Sequence, residues 1–433
     1  YVYLMINVSL LLYRLKANTL FKDSFWALLG SAMGKGLSLI AGVVIARLLG
    51  SELYGEYGTI KNTLLMIAIF SSLGLGYSAT KFIAESRTAN DDKRISDTHK
   101  IATVITLLSS SIIALLLIFA SNKVALWLES PQLSSTLRLS SIAVIFNALN
   151  TTQIGELSGF GAYKELARNN TIAGVFTFCL SVLFTYLYDF NGAILALNLS
   201  LIFNAILNTI TIKKCIGFKS DRGKIDRLYV KNVLRYSIPI ALQECLYSIT
   251  YWLNILILVK FSNYTEIGIL TAANQWMSVI LFIPGALRNV ALTHLSASNN
   301  DKIRNKSILQ RLFVVNFVST FIPFLIILFL SGWLTVLYGD SFDGIRPVLN
   351  VCVFTAVISS LSNVLTQEFM AYSQNWFLFI SRLIRDIGIL TSIYVALLYF
   401  DHGALISAVA GLIWQLFYLG ILLVFSRTRN RVI

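Results

Sequence analysis

Few residues in this chain could do chemistry, and each interrupts an apolar run. Lys35 lies about ten residues into one such run, about 15 Å along a helix at 1.5 Å per residue. Ser31, Ser38 and Gly42 share its face at helical spacing, forming a small and polar stripe. A charge at that depth costs a few kcal/mol and tends to face water, so Lys35 is expected to line a solvated cleft. Snorkelling, or pairing inside the bundle, is the bland alternative. Glu244, beside Gln243, interrupts another run. It either pairs with Lys35 across the cleft, binds a proton or Na⁺, or is satisfied by a local hydroxyl such as that of Ser248. Arg288 follows Pro284, and Arg47 and Lys61 lie near the ends of their runs. For these three, anchoring among headgroups competes with ligand contact. Glu156 near Gln153, and Glu368 beside Gln367, read as inner-leaflet acids that pair with a basic neighbour, with a coupling role as the alternative for Glu156. Asp386 is at i+4 from Arg382 with Arg385 adjacent, which reads as an intrahelical ion pair, with gating as the alternative.

The elements that position these residues are membrane helices. Of 433 residues, 56% are hydrophobic and 13% charged, against about 25% charged in a soluble domain. Runs of about 18 or more nearly uncharged residues recur along the chain, each able to cross the hydrocarbon. The fold class is therefore an all-α polytopic membrane protein. Twelve spans are expected, at about 25–49, 57–82, 101–121, 138–160, 170–188, 193–212, 236–259, 266–291, 308–330, 347–370, 378–399 and 403–425. The formal charge of +14 sits in short loops on one side, including Lys81 to Lys100 and Lys213 to Arg235. That is a topology signal which places both termini in the cytoplasm, and not a nucleic-acid face. Residues 1–23 read as an interfacial segment, or as sequence upstream of a start at Met5. The seven tryptophans fall mostly toward span ends, as interface anchors.

A repeat organises the spans. Tyr54, Glu56 and Gly58 of ARLLGSELYGEYGTI (46–60) recur as Tyr264, Glu266 and Gly268, about 210 residues on. Gly74 matches Pro284, Ala162-Tyr163 matches Ala371-Tyr372, and Gly192-Ala193 matches Gly403-Ala404. Six spans return the chain to its starting side, so the halves are parallel repeats. An N-lobe (24–212), a basic linker (213–235), a C-lobe (236–426) and a tail (427–433) follow. Residues 46–60 become an external hairpin turned by Gly50, Gly55 and Gly58. Gly74 and Pro284 become the loosened points of the second helix in each lobe.

Enzyme signals are poor. The three histidines, His99, His294 and His402, form no HExxH or relay, and GSAMGKG (30–36) has the wrong glycine spacing for a phosphate loop. The four cysteines carry no metal or disulfide spacing. No cofactor and no metal are expected. A lipid-linked sugar ligase or polymerase is disfavoured because external loops stay under about 17 residues.

The first hairpin ARLLGSELYGEYGTI, followed by SSLGLGYSATKFIAE closing span 2, resembles the polysaccharide-exporter branch of the multidrug/oligosaccharidyl-lipid/polysaccharide exporter superfamily. More narrowly it is similar to Wzx-type O-antigen flippases. The resemblance covers about 24–426 and is faint in the second half. It implies a V-shaped pair of six-helix lobes in the bacterial inner membrane. It also implies translocation of an undecaprenyl-diphosphate-linked oligosaccharide to the periplasmic leaflet, coupling to an ion (H⁺ or Na⁺) or to the membrane potential, and contact with the polymerase machinery. On it Lys35, Arg47, Lys61 and Arg288 map as candidate diphosphate or anionic-sugar contacts; Glu156, Glu244 and Asp386 are the coupling or gating candidates. Capsule or exopolysaccharide export is the near variant. A cation-coupled multidrug antiporter would want deep acids in the N-lobe, where spans 1 and 2 offer only Lys35. A major-facilitator porter usually carries a Gly-x-x-x-Asp-Arg-x-Gly-Arg-Arg loop that RTANDDKRISD lacks.

Overall fold

A computed structural model describes residues 19–217, 226–285, 287, 295, 302–372 and 374–432; the side chains of 19–31, 88, 239, 240, 243, 244, 247, 302–304, 375 and 427–432 are outside the description. The described residues are almost wholly helical: α1 Thr19–Ser72, α2 Leu75–Thr88, α3 Asp92–Trp127, α4 Leu133–Gly159, α5 Tyr163–Ile216, α6 Arg227–Phe261, α7 Tyr264–Ile280, α8 Lys302–Tyr338, α9 Ile345–Ala371, α10 Asn375–Leu397 and α11 Gly403–Val432, with one 3₁₀ turn at Asp340–Phe342. Among the described residues, six helices are long and apolar enough to cross a membrane.

Two of those six cross twice. α1 carries one non-helical residue, Gly50, at φ 75°, a left-handed conformation that costs glycine little. Gln275 touches both Tyr54 and the Ser38 carbonyl, which a straight helix would hold about 24 Å apart. The chain therefore folds back at Gly50. The hairpin expected over 46–60 shrinks to this single residue, because helix resumes at Ser51. α5 reverses in the same way at Tyr188 and Asp189, the latter at φ 47°. The Phe176 and Phe203 rings then stack 3.9 Å apart, so the loop expected at 189–192 is also mostly helix. Counting each limb, with α2 completing span 2, the chain makes twelve spans in two six-helix lobes.

The second span of each lobe is broken at a matching depth. α1 ends at Ser72, and Gly74 takes φ 68° before α2 begins. α7 ends at Ile280, and buried Pro284 follows in a short helical turn. Within the N-lobe α1 packs on α5, α3 on α4, α4 on α5 and α2 on α4; within the C-lobe α9 packs on α8, α11 and α7, and α10 on α11. Small residues allow the closest approaches, as expected where lipid supplies no hydrophobic drive between helices. A Cβ on Gly155 would collide with the backbone of Gly76, and one on Gly34 with that of Asn170. All four cysteines are free.

Tryptophan placement departs from the sequence expectation. Trp127, Trp333 and Trp376 are exposed as anchors should be. Trp252, Trp276 and Trp414 instead donate indole N–H groups inside the bundle, to Thr63 (3.1 Å), Tyr338 (2.8 Å) and Ser392 (2.8 Å). A buried indole N–H needs a partner, and facing helices supply one.

Candidate functional site

The Lys35 stripe faces the other lobe. Going from Gly42 through Ser38 to Lys35, it meets α7 and the turn after it. The Gln275 amide fills the space a Cβ on Gly42 would occupy. The same amide donates to the Ser38 carbonyl at 2.9 Å and accepts from the Tyr54 hydroxyl at 3.1 Å. One glutamine of the C-lobe thus ties both limbs of the α1 hairpin.

From Gln275 to the Gly50 end the lobes are sealed. A Cβ on Gly55 would overlap the Tyr264 carbonyl oxygen, and one on Gly268 the Ser51 carbonyl oxygen. The second limb of α1 therefore crosses α7 backbone to backbone. Gly58 continues the crossing, with room for no more than the Thr271 side chain. The structure thus places Gly55 and Gly58 inside a helix, at a contact between lobes, and leaves the turning to Gly50. Around the crossing sit Tyr54, Tyr57, Tyr338 and Phe342, with ring centroids 5.2–5.9 Å apart. Tyr264 donates to the Leu128 carbonyl at 2.6 Å. Arg47 donates to the carbonyls of Val336 and Leu337 at 3.1 and 3.3 Å, at the C-terminal end of α8. A cation is favoured there by both the unpaired carbonyls and the helix dipole.

The acids repeated in the two halves also have structural partners. Glu56 accepts from Gln132 (3.0 Å) and Ser130 (3.4 Å), just before α4. Glu266 accepts from the Ala404 N–H (2.6 Å) in the first turn of α11. Each carboxylate meets the N-terminal end of a neighbouring helix, where negative charge is stabilised.

Below the seal the contacts become sparse. Lys35 is exposed and its Nζ lies 5.1 Å from the centre of the Phe282 ring, about 22 Å of helix from Gly50. Lys61 is half-buried on α1, one turn beyond Gly58, and makes no hydrogen bond or ion pair among the described residues. Toward the opposite end α6 meets the N-lobe again. Ser78 and Ser237 hydroxyls are 2.5 Å apart, and Gly74 lies against the Ser237 carbonyl and Ala241. Lys81 Nζ sits 4.2 Å from the Tyr236 ring centre and 3.9 Å from Glu85. Tyr229, in the first turn of α6 and outside the apolar stretch, exchanges a 2.7 Å hydrogen bond with Thr98. Burial pushes its phenol up, so it stays protonated.

The remaining acids are engaged away from this cleft. Asp386 pairs with the adjacent Arg385, at 2.7 Å from Nη2 and 2.8 Å from Nε, and not with Arg382. The i+4 geometry loses because Arg385 is drawn inward by Gln415 (3.2 Å) and the Tyr418 ring. Glu368 accepts from Ser426 at 3.0 Å. Glu156 is fully buried and its Oε2 lies 2.8 Å from His99 Nδ1. The Glu244 side chain lies outside the description, as does Arg288 altogether. Sequence reasoning missed Gln275, Phe282, Arg385 and His99 as partners, since each acts on a residue of another helix or on its neighbour.

The family described as "Polysaccharide biosynthesis protein" matches residues 20–285. The chain belongs to that family. A relative of this chain, an uncharacterized membrane protein of Methanocaldococcus jannaschii, is 25% identical over 240 residues, 53% of this chain and 56% of the relative. The chain thus spans just over half the length of that relative. Solved structures share the fold. One is an inward-facing multidrug resistance MATE family transporter of the MOP superfamily, at TM-score 0.77 and 15% identity over 94% of this chain and 98% of that one. An outward-facing MATE family transporter overlays at TM-score 0.68 and 15% identity, covering 95% and 96%. A MOP superfamily transporter from Pyrococcus furiosus, described as having a binding pocket of reverse polarity, overlays at TM-score 0.70 and 14% identity, covering 94% and 95%.

Proposed function

We propose that this family member moves a saccharide unit carried on a polyprenyl diphosphate, of the O-antigen kind, from the cytoplasmic to the periplasmic leaflet of a bacterial inner membrane. The Gly50 end is then external and both termini cytoplasmic, the orientation favoured by the basic residues of 81–100 and 213–235. The observation that carries the reading is Lys35, an exposed cation deep on the face that one lobe turns to the other. Lys61, half-buried one turn beyond Gly58, makes no hydrogen bond or ion pair among the described residues. A diphosphate cannot enter hydrocarbon unaided, and two ammonium groups offer it charge along the way. The prenyl tail can stay in lipid beside the lobes.

In this arrangement the Gly55–Gly268 crossing, Gln275 and Arg47 bar the external side. Rocking of residues 24–212 against 236–426, joined by the linker 213–235, would part that seal and open the cleft outward. Arg47 then acts in the gate, and Gly74 and the Pro284 turn give the second spans their bend. Coupling to H⁺ or Na⁺ would supply direction, with Glu156, Glu244 and Asp386 as the acids available. The test is complementation of a strain lacking its lipid-linked oligosaccharide flippase. Restored surface polysaccharide supports the proposal. Resistance to cationic drugs without restored polysaccharide would overturn it in favour of antiport.

A further inference from the structure

Away from the cleft, α3 and α4 hold a titratable pair that includes one of the coupling acids named above, Glu156. Glu156 has 0% side-chain exposure, and its Oε1 makes no hydrogen bond. Its Oε2 lies 2.8 Å from His99 Nδ1, and the Thr103 hydroxyl is 3.4 Å from the same nitrogen. The His99 side chain is 27% exposed. An imidazole that is partly wet and joined to a dry carboxyl is a proton path one residue long. A carboxyl group buried in this way depends for its charge on the few groups that touch it, here His99 and the Thr103 hydroxyl.

The other charged groups nearby are turned elsewhere. On α3, His99 is the ionisable group that meets Glu156; Arg94 pairs with Asp91, while Asp97 and Lys100, two residues before and one after His99, point from other faces of the helix. On α2, Lys81 is 3.9 Å from Glu85, and Arg87 donates to the carbonyls of Gly159 and Phe160. α5 keeps its charges near its two ends, at Lys164, Glu165, Arg168, Lys213 and Lys214, and at Asp189 of the bend. It faces Gln153, one turn from Glu156, with the Ala205 carbonyl and the Thr209 hydroxyl. The facing limb of α1 has no charge between Lys61 and Ser72.

We propose that His99 and Glu156 form a proton-binding site that reports on the inner end of the N-lobe. Its role in driving transport rests on the function proposed above; its existence does not. A proton from water adds to the exposed edge of His99, and the proton on Nδ1 passes to Glu156 Oε2, leaving a neutral carboxyl and a neutral imidazole. Release follows the same steps in reverse. The site adjoins a hinge. Gly155, next to Glu156, is packed against the backbone of Gly76 and receives a 2.8 Å hydrogen bond from Thr80 at its carbonyl. Gly76 is two residues beyond Gly74, where span 2 breaks and touches Ser237 and Ala241 of the other lobe. A change of charge at Glu156 therefore lies beside the bend that links the lobes.

Infrared difference spectroscopy on the full-length protein in detergent, titrated between about pH 5 and pH 8, tests the site without any substrate. A protonated-carboxyl band should grow on acidification and disappear in Glu156→Gln. His99→Gln should keep the band but move its midpoint by about one pH unit or more. Should Glu156→Gln fail to fold, the His99→Gln midpoint decides alone. A band that survives in Glu156→Gln, or a midpoint unmoved in His99→Gln, overturns the proposal. Failure of polysaccharide export in the complementation test would leave this titration intact.

Discussion

Gly55→Ala should force the seal at the Gly50 end apart. A Cβ there would overlap the Tyr264 carbonyl oxygen, and it lies 2.8 Å from the carbonyl carbon and 3.0 Å from the Gly268 nitrogen. These are backbone atoms of a rigid helix, so no side chain can swing away. The limb of α1 and α7 must separate by about 1 Å or more. Overpacking of this kind costs about 1–3 kcal/mol. The cost falls only on the closed seal, because the crossing does not exist when the lobes part. By population arithmetic, a protein about 1% open would become roughly 5–60% open. Spin labels at Lys123 and Asp340, both exposed at the Gly50 end on opposite lobes, would read the change by pulsed electron resonance in a cysteine-free background. The expected result is a second, longer distance population in Gly55→Ala, with Gly268→Ala behaving alike from the other side of the crossing. An unchanged distance distribution in both variants, with protein yield retained, would refute the idea that this crossing is the gate.

Other outcomes follow from the same geometry. Arg47→Ala removes two charge-assisted hydrogen bonds to the end of α8, worth about 1.5–3 kcal/mol each at most, and should shift the same label distances outward. Lys35→Ala should lower polysaccharide export about tenfold or more at matched membrane insertion, while Lys35→Arg keeps part of it; normal export by the alanine variant would remove Lys35 from the path. Asp386→Asn leaves the nearly buried Arg385 without its ion partner and should cost about 3 kcal/mol of stability, read as a lower thermal midpoint in detergent. Gly74→Ala combines a left-handed strain of about 1–2 kcal/mol with a Cβ 2.8 Å from the Ser237 carbonyl, so a fall in folded yield is expected; an unchanged yield would mean that the break is not under strain.

Much of the architecture was readable because membranes restrict the choices. Apolar runs had to be helices, and the recurrence of Tyr54, Glu56 and Gly58 as Tyr264, Glu266 and Gly268 exposed the duplication. Lys35, Ser38 and Gly42 could be placed on one face by helical period alone. Their partner Gln275 could not, since nothing in one strip of sequence says which distant helix will meet it. Gly55 and Gly58 look like turn residues in a string of glycines, yet glycine serves close helix crossings equally well. Only the pairing of Gly55 with Gly268 tells the two uses apart. Asp386 shows a related limit: spacing favoured Arg382, and a third helix carrying Gln415 decided for Arg385. His99 read as an isolated histidine because Glu156, its partner, comes from the next span.

The most direct measurement of the account is translocation by the purified protein in liposomes. A fluorescent polyprenyl-diphosphate oligosaccharide would be followed by its accessibility to an impermeant quencher. The protein is expected to make the inner-leaflet pool accessible, and Lys35→Ala and Lys61→Ala to do so far more slowly. Liposomes with protein that behave like empty ones, while exchanging a cationic drug for protons, would contradict it.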